Sequence, residues 1–326
     1  MLKQSNKYIT VFIPTYNGDK YLAESIEAVL HQELPSGYSL EFFITDSGSS
    51  DRTLDILEQY KDQIELSIIP NSEFSHGKTR QQAAEKAKGE FILFLSQDAT
   101  PTHYRWIINM IEPFFISDKV GCVFGRQIPR PHSVPTIKRE VAGVFGGVGA
   151  PDALVLHREK SLVDGTAVNP LNSFFSDVNS AIRKDLVVVV PFRDVKYAED
   201  QALAQDMQNA GYLKAYSPQG SVWHSNEYTA KEYYHRKFDE YIGLQESVAE
   251  KFKPSRRSLM IGWIRPTLAD WEFTRRDREY PPYAKLKFFI LSPAYNFALQ
   301  LGKYRAIKYI NNPHARKNMS LEARKK

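Results

Sequence analysis

The chain has 326 residues, 42% of them hydrophobic and 13% aromatic, with a formal net charge of +5. This composition favours a folded protein over a disordered one, and the length suffices for one large domain with an appendage. Met1–Lys7 is polar, and no apolar run reaches the ~20 residues of a spanning helix, which predicts a cytoplasmic protein without a secretory signal. The lone Cys122 has apolar neighbours and is predicted to be an inert buried thiol.

Short apolar segments alternate with amphipathic ones through the first 125 residues. The predicted strands are Tyr8–Ile13, Leu40–Thr45, Glu65–Ile69, Phe91–Leu95 and Val120–Phe124. The predicted helices between them are Lys20–His31, Arg52–Tyr60, Thr79–Lys88 and His103–Phe115. Strands that alternate with helices predict an α/β fold with a doubly wound, mostly parallel sheet flanked by helices.

The alternation stops between residues 127 and 175, where Pro and Gly are frequent and no period is clean. This region is predicted to be a loop-and-helix insertion over the ligand crevice. Regular structure returns with a strand at Val178–Ile182, a helix at Ala198–Ala210 and an extended segment at Leu213–His224. From Thr229 onward the chain is predicted to be largely helical.

Charge divides the chain into an acidic body and a basic end. Residues 251–326 contain 18 Lys+Arg and 5 Asp+Glu, a net charge of +13, whereas residues 1–250 carry −8. We therefore expect a main domain over 1–250 and a basic, aromatic-rich helical extension over 251–326. The extension also carries an apolar helical stripe, formed by Leu286, Phe289, Ile290, Pro293, Phe297, Leu301 and Tyr304. Such a helix suits an anionic membrane surface, or packing on the main domain or on a second subunit of a homo-oligomer.

Carboxylates follow several of the predicted strands. Asp46 and Asp98 each come after an apolar strand, and Glu199-Asp200 opens a helix. The carboxyl ends of parallel strands converge on one crevice, where clustered carboxylates repel unless they hold a cation, a hydroxyl or a proton. Each residue alone could be a turn or cap residue; Asp51 suits a cap better, which leaves Asp46 for a ligand.

Two further segments have the features of phosphate or nucleotide contacts. Pro14-Thr15-Tyr16-Asn17 follows the first strand at a tight turn, although an ordinary strand-to-helix turn has the same composition. His76-Gly77-Lys78-Thr79-Arg80 leads into a helix, where a bound anion would relieve the unfavourable cations at the helix start. The alternative is a solvated basic helix start. His224 is either a further ligand or a structural histidine.

Taken together, Pro14-Thr15-Tyr16-Asn17, the segment Asp46–Asp51, Asp98 and Glu199-Asp200 resemble family 2 glycosyltransferases of the GT-A fold. Within that family, Phe74–Arg80, Ser96–Pro101 and Gly125-Arg126-Gln127 are similar to bacterial rhamnosyltransferases that build cell-surface polysaccharides and use dTDP-β-L-rhamnose.

The resemblance implies roles for particular residues of an inverting transferase. Asp200 would be the general base with Glu199 beside it, and Asp98 would hold Mg²⁺ or Mn²⁺ on the donor diphosphate with help from His224. Thr15 and Asp46 would contact the nucleoside. The full predicted donor-binding set is Pro14, Thr15, Tyr16, Asn17, Asp46, Gly77, Lys78, Arg80 and Gln97. One departure from the family is that its usual Asp-x-Asp motif reads Ser96-Gln97-Asp98 here, without the first carboxylate.

The implied reaction transfers L-rhamnose to a hydroxyl of a lipid-linked glycan at the inner face of the plasma membrane. One alternative keeps the fold and uses a UDP-sugar. Another is a sugar nucleotidyltransferase, but residues 8–20 lack its Gly-rich, basic signature. A nucleic-acid partner is not expected, because the main domain is acidic.

Overall fold

A computed structural model describes residues 7–158, 174–195, 198–225, 227–247, 253 and 255–321. The chain packs into two compact units, one comprising Met1–Ile128 with Gly143–His224 and the other Pro129–Ala142 with Ser225–Lys326. The predicted division at residue 250 assigns the segment 225–250 to the main domain. Its packing places it instead with the C-terminal helices.

One sheet organises the first unit, with nine strands among the described residues. They are β1 (Lys7–Thr15), β2 (Tyr38–Asp46), β3 (Glu65–Ile68), β4 (Phe91–Leu95), β5 (Thr100–Pro101), β6 (Val120–Ile128), β7 (Val155–His157), β8 (Asn179–Arg183) and β9 (Leu213–Trp223). The order is β3-β2-β1-β4-β8-β6-β9-β5, with β7 also paired to β9. The first four strands run parallel, and β8 lies antiparallel between β4 and β6. The predicted mostly parallel α/β sheet is confirmed.

Helices flank this sheet and cover its central strands. They are α1 (Leu22–Leu30), α2 (Thr53–Gln59), α3 (His76–Lys86), α4 (Trp106–Ile116), α6 (Lys184–Val187) and α7 (Glu199–Asn209), whereas α5 (Pro135–Val148) begins in the second unit and ends in the first. All five residues of β4 are buried, as expected for a strand covered on both faces. Cys122 is buried within β6, which confirms the predicted inert thiol, and burial raises the pKa of that thiol to about 12.

The region predicted to be irregular contains a regular helix, α5. Ile137, Phe145 and Val148 are buried at helical spacing, whereas a Cβ at Gly143 would meet open space. The glycines concealed this period in the sequence, because they carry no side chain that marks a face. Residues 159–173 of the predicted insertion lie outside the described residues.

The second unit is helical, as predicted for the chain from Thr229 onward. Its further helices are α8 (Ala230–Ser247), α9 (Arg256–Ile261), α10 (Ile264–Arg276), α11 (Pro282–Tyr309) and α12 (Pro313–Met319). The rings of Tyr233 on α8 and Tyr295 on α11 pack 5.7 Å apart. No helix in the described part of the chain is long and apolar enough to span a membrane.

One buried carboxylate joins three elements of this unit. Asp270 on α10 is inaccessible to solvent. Its Oδ1 pairs with Arg139 Nη1 at 2.5 Å, and its Oδ2 accepts from Thr136 Oγ1 and Asn296 Nδ2, each at 2.6 Å. Both oxygens are therefore engaged by donors of the same unit.

Candidate active site

Gln97 joins the loop after β4 to the end of β1. Its Oε1 accepts from Thr15 Oγ1 at 2.6 Å and from the Tyr16 amide at 2.8 Å, while its Nε2 donates to the Tyr16 carbonyl at 3.1 Å. A Cβ at Gly18 would come within 2.6 Å of the same amide oxygen. The segment that begins at Pro14 is thus held in place by side-chain bonds from a neighbouring strand end.

Asp46, at the end of β2, is buried and bonded to its own loop. Its Oδ1 accepts from the amides of Gly48 and Ser49, each at 2.9 Å, and its Oδ2 accepts from Ser49 Oγ at 2.5 Å. Asp51 bonds the amide and hydroxyl of Thr53 at the start of α2, as its predicted cap role requires. The sequence predicted that the Asp46 carboxylate is left for a ligand. In the structure the carboxylate already accepts hydrogen bonds from its own loop, because the loop turns its amides back onto the end of β2.

Asn17 ties the β1 loop to the β2 loop. Its backbone adopts a left-handed φ of 48°, which asparagine tolerates better than most residues. Its amide donates to Ser49 Oγ at 2.9 Å, and its Oδ1 accepts from the Ser50 amide at 2.8 Å. The two loops predicted to bind the nucleoside are therefore bonded to each other.

The structure brings together the two predicted metal ligands, Asp98 and His224. The Asp98 carboxylate lies 3.5 Å from Nε2 of the buried His224 ring. Nδ1 of that ring lies 3.0 Å from Gln127 Oε1, whose Nε2 donates to Ser176 Oγ. With Gln127 accepting from Nδ1–H, the lone pair of a neutral ring is at Nε2 and faces the carboxylate, an arrangement that a bound cation stabilises. Within the described residues, no group of three or more His, Cys, Asp or Glu side chains has metal-binding geometry.

Arg80 lies in an acidic cluster, which we define as Arg80, Asp177, Glu199 and Asp200; Asp200 is half-buried, and the other three residues are buried. Arg80 Nη1 donates to Glu199 Oε1 at 2.7 Å, and its Nε lies 3.2 Å from Asp177 Oδ2 without hydrogen-bond alignment. Arg80 is only 6% exposed. This placement differs from the prediction that Arg80 contacts the donor phosphates, because its guanidinium is enclosed by carboxylates.

Asp200, the predicted base, is the member of the acidic cluster with the most strongly raised pKa. Burial, followed by the negative charges of Glu199 and Asp177, raises the pKa of Asp200 to about 8, while Arg80 opposes the rise. Burial also raises the pKa of Asp177 to about 6. Ala198, which precedes the pair, has a left-handed φ of 60°, a conformation that strains a residue with a Cβ. A carboxyl group that exchanges its proton near neutral pH is suited to acid–base work.

The segment Ser176–Val178 links the acidic cluster to the Asp98–His224 pair. Ser176 Oγ accepts from Gln127 Nε2, and the Asp177 amide donates to Asp200 Oδ2 at 3.3 Å. The Val178 carbonyl accepts from the Ser96 amide at 3.1 Å. The sequence analysis named Gln127 only as part of a family motif and assigned no role to Ser176 or Asp177. Their position depends on the pairing of β8 between β4 and β6, which no local pattern indicates; a buried arginine's need for carboxylates is the signal that could have pointed to Asp177.

Gly77 packs against backbone of the same unit. A Cβ at this position would overlap the carbonyl oxygen of Arg193. Glycine here therefore permits the close approach of the protein's own backbone, and not of a ligand. Its neighbour Lys78 is exposed. The predicted phosphate segment therefore divides into a structural glycine, an exposed lysine and a buried arginine.

The family model for glycosyl transferase family 2 matches residues 10–190 of this chain. That span covers more than half of the chain and includes the Gln97 loop, Asp98 and the acidic residue Asp177. The chain belongs to glycosyl transferase family 2 and is a glycosyltransferase enzyme, as the resemblance implied.

Three relatives refine this assignment. O-antigen chain rhamnosyltransferase RfbN of Salmonella typhimurium is 29% identical over 71% of this chain and 70% of its own, and WbaN of Salmonella anatum is 30% identical over the same shares. The poly(ribitol-phosphate) beta-N-acetylglucosaminyltransferase TarS of Staphylococcus aureus is 34% identical over 27% of this chain and 16% of its own.

The fold has a counterpart among solved structures. The mannosyltransferase PcManGT from Pyrobaculum calidifontis, in complex with GDP-Man and Mn²⁺, superposes with a TM-score of 0.58 at 15% identity. The match covers 95% of this chain and 88% of that one. The GT-A-type fold with its C-terminal helices is thereby confirmed.

Proposed function

We propose that this enzyme is an inverting, metal-assisted rhamnosyltransferase that transfers L-rhamnose from dTDP-β-L-rhamnose to a hydroxyl of a lipid-linked polysaccharide precursor. The observation that carries the proposal is the network in which one short segment connects the raised-pKa carboxyl of Asp200 to the Asp98–His224 pair. The Salmonella O-antigen rhamnosyltransferases, similar over 71% of the chain, support the sugar and the kind of acceptor.

Asp200 is the proposed general base. The acceptor oxygen forms its bond to the anomeric carbon as the bond from that carbon to the diphosphate oxygen breaks, and the hydroxyl proton passes to the Asp200 carboxylate. Such a base typically contributes about 10²–10⁴-fold to the rate. Glu199 is held by Arg80 at 2.7 Å, so its proposed role is to set the charge around Asp200.

Asp98 and His224 would hold the divalent cation. Mg²⁺ and Mn²⁺ accept one or two protein ligands together with donor phosphates, and the ring orientation set by Gln127 offers Nε2 as a ligand. When bound there, the cation would neutralise charge on the departing diphosphate. The Mn²⁺ bound to PcManGT supports this choice of metal.

The loops after β1 and β2 form the proposed nucleoside site. Asp46 holds the loop through its hydrogen bonds to Gly48 and Ser49. A direct contact with a base N–H would use carboxylate lone pairs that these hydrogen bonds do not occupy. Thr15 and Gln97, which are bonded to each other at the end of β1, would line the same site. Lys78 is the exposed cation we propose for a phosphate contact.

A UDP-sugar donor is the second candidate. Its support is the 34% identity with the N-acetylglucosaminyltransferase TarS, although that likeness covers only 27% of the chain. Family membership leaves the nucleotidyltransferase and nucleic-acid-binding alternatives without support. A lipid-linked acceptor would place the enzyme at the inner face of the plasma membrane.

Calorimetric titration of the full chain with dTDP-rhamnose, UDP-glucose and UDP-N-acetylglucosamine tests the donor. We expect the dTDP donor to bind most tightly, and its binding to weaken when Mg²⁺ or Mn²⁺ is withheld or when His224 is replaced in His224→Ala. His157→Ala is the matched control, because His157 lies on β7, outside the bonds that join Asp98 to His224. Preference for a UDP-sugar would replace the donor, and binding indifferent to metal and to His224 would contradict the metal site.

A further inference from the structure

Large apolar side chains are exposed on three neighbouring helices of the second unit. They are Met260 and Ile261 on α9, Ile264 and Leu268 on α10, and Tyr283, Leu286, Ile290 and Phe297 on α11. We call these eight residues the apolar face. Leu286 is 66% exposed and Ile290 69%, values unusual for side chains that normally lie in a core.

The helices that carry the apolar face are neighbours, since α9 and α10 both pack on α11. Trp271 Nε1 donates to the Phe289 carbonyl at 2.9 Å, and their rings lie 6.2 Å apart. Further along α10 and α11, Lys285 Nζ donates to the Arg275 carbonyl at 3.2 Å. On α11 the exposed residues recur at intervals of three, four and seven, which keeps them on one side of the helix.

This exposure does not reflect an unpacked helix. The other side of α11 is buried within the same unit, where Phe288 packs on the ring of Tyr280 at 4.7 Å and Tyr295 packs on Tyr233. A Cβ at Gly302 would come within 2.7 Å of the Tyr234 carbonyl oxygen, so α11 and α8 are in close contact. The helix therefore buries one face fully and presents a second apolar face.

Cations outnumber acids in the helices that carry the apolar face. The span Arg256–Tyr309 holds 11 Lys+Arg against 4 Asp+Glu, and α11 contains no acidic residue. The four acids are all in ion pairs: Asp270 with Arg139, Glu272 with Arg275 and Arg276, and Asp277 and Glu279 with Lys138.

We infer that the apolar face, with the cations of its helices, is a docking surface for an anionic lipid bilayer. Apolar side chains flanked by lysine and arginine suit the boundary between headgroups and acyl chains. Phosphate headgroups complement the excess positive charge, whereas a second copy of this chain docked through the same face would bring like charges together. The inference rests on the second unit alone and does not depend on the proposed donor or acceptor.

Vesicle binding by the full-length protein tests the inference. The vesicles are phosphatidylcholine alone and phosphatidylcholine with 30% phosphatidylglycerol, and the bound fraction is measured by co-sedimentation at low and high salt. The test variant is Leu286→Gln with Ile290→Gln. The matched control is Phe115→Gln with Val188→Gln, two residues of the first unit exposed by 63% and 83%.

We expect the wild type and the control to bind anionic vesicles, more weakly at high salt, and to bind neutral vesicles poorly. The Leu286–Ile290 variant should lose tenfold or more of its partition coefficient while its circular dichroism and molar mass stay unchanged. Equal vesicle binding by the two double variants would overturn the inference. So would a wild-type dimer, seen by light scattering, that only the Leu286–Ile290 variant dissociates.

Discussion

Two buried carboxylate clusters, one in each unit, show how the same residue types serve different ends. In the second unit, Asp270 faces Arg139, Thr136 and Asn296, and both of its oxygens have donors. In the first unit, Asp177 and Glu199 share the guanidinium of Arg80 beside the carboxyl of Asp200, and Arg80 Nε and Asp177 Oδ2 lack aligned partners.

The difference lies in the balance between charges and donors. A carboxylate whose oxygens are all engaged by donors fixes the fold around it. Burial, followed by the negative charges of neighbouring carboxylates that Arg80 only partly offsets, raises the pKa of Asp200 and that of Asp177. The first arrangement suits structure, and the second suits proton transfer near neutral pH.

The largest expected effect is from Asp200→Asn, which removes the proposed base and keeps its shape. Transfer should fall by about 10²–10⁴-fold, while binding of the donor, measured by calorimetry, stays close to wild type. The matched control is Asp185→Asn, an exposed aspartate paired with Arg183 in the same unit, which should keep its activity. Normal turnover by Asp200→Asn would refute the assignment of the base.

Asp270→Ala should act on stability and leave the chemistry intact. It strips Arg139 and Asn296 of a buried acceptor, so the free energy of unfolding, measured in urea, should fall by about 3 kcal/mol. Activity per folded molecule should be unchanged. If the urea midpoint held while turnover fell, Asp270 would belong with the catalytic residues and the contrast between the clusters would fail.

The pH dependence of kcat/KM tests the charge balance around Asp200. A base acts in its deprotonated form, so the rate should rise with pH through the raised pKa of about 8 and fall on the acidic side. Arg80→Gln removes the cation that opposes this rise, and the acidic limb should move to higher pH by about one pH unit or more. Arg80→Lys should restore part of the shift. A limb that stays in place in a folded Arg80→Gln enzyme would show that Arg80 does not tune the base.

The smallest effect concerns the strained residue before the acidic pair. Ala198→Gly should stabilise the protein by about 0.5–1 kcal/mol in urea unfolding, because glycine adopts a positive φ without steric cost. Ala202→Gly, one turn further along α7, is the control and should destabilise by a similar amount. Matching signs for the two variants would mean that Ala198 is not strained.

Much of the first unit could be predicted from the sequence. β4 has the predicted bounds Phe91–Leu95, because an uninterrupted apolar run suits a strand covered on both faces. Asp46 and Asp98 were found because each follows such a strand. A loop-and-helix insertion was predicted over residues 127–175, but the bounds of α5 were not, since Gly143 and Gly146 interrupt the pattern that Ile137 and Phe145 mark.

The partners of the site residues could not be predicted in the same way. Asp177 meets Arg80 and Asp200 only because β8 inserts antiparallel between β4 and β6, and local periodicity carries no information on strand order. Arg80 was assigned to phosphates for the same reason: the sequence shows a cation at a helix start but not the carboxylates that enclose it. The sequence shows which residues carry a charge, whereas the balance of charges around a side chain depends on the fold.

The hydrogen bonds that Gln97 makes to Thr15 and Tyr16 affect how the proposed catalytic cycle would end. These three bonds, with those of Asn17 to Ser49 and Ser50, fix both proposed nucleoside loops before any ligand arrives. A preorganised pocket loses little entropy on binding, and it retains a nucleoside diphosphate product as readily as the nucleotide part of a donor. On the proposed function, release of that product would limit turnover, and free nucleoside diphosphate would inhibit in competition with the donor.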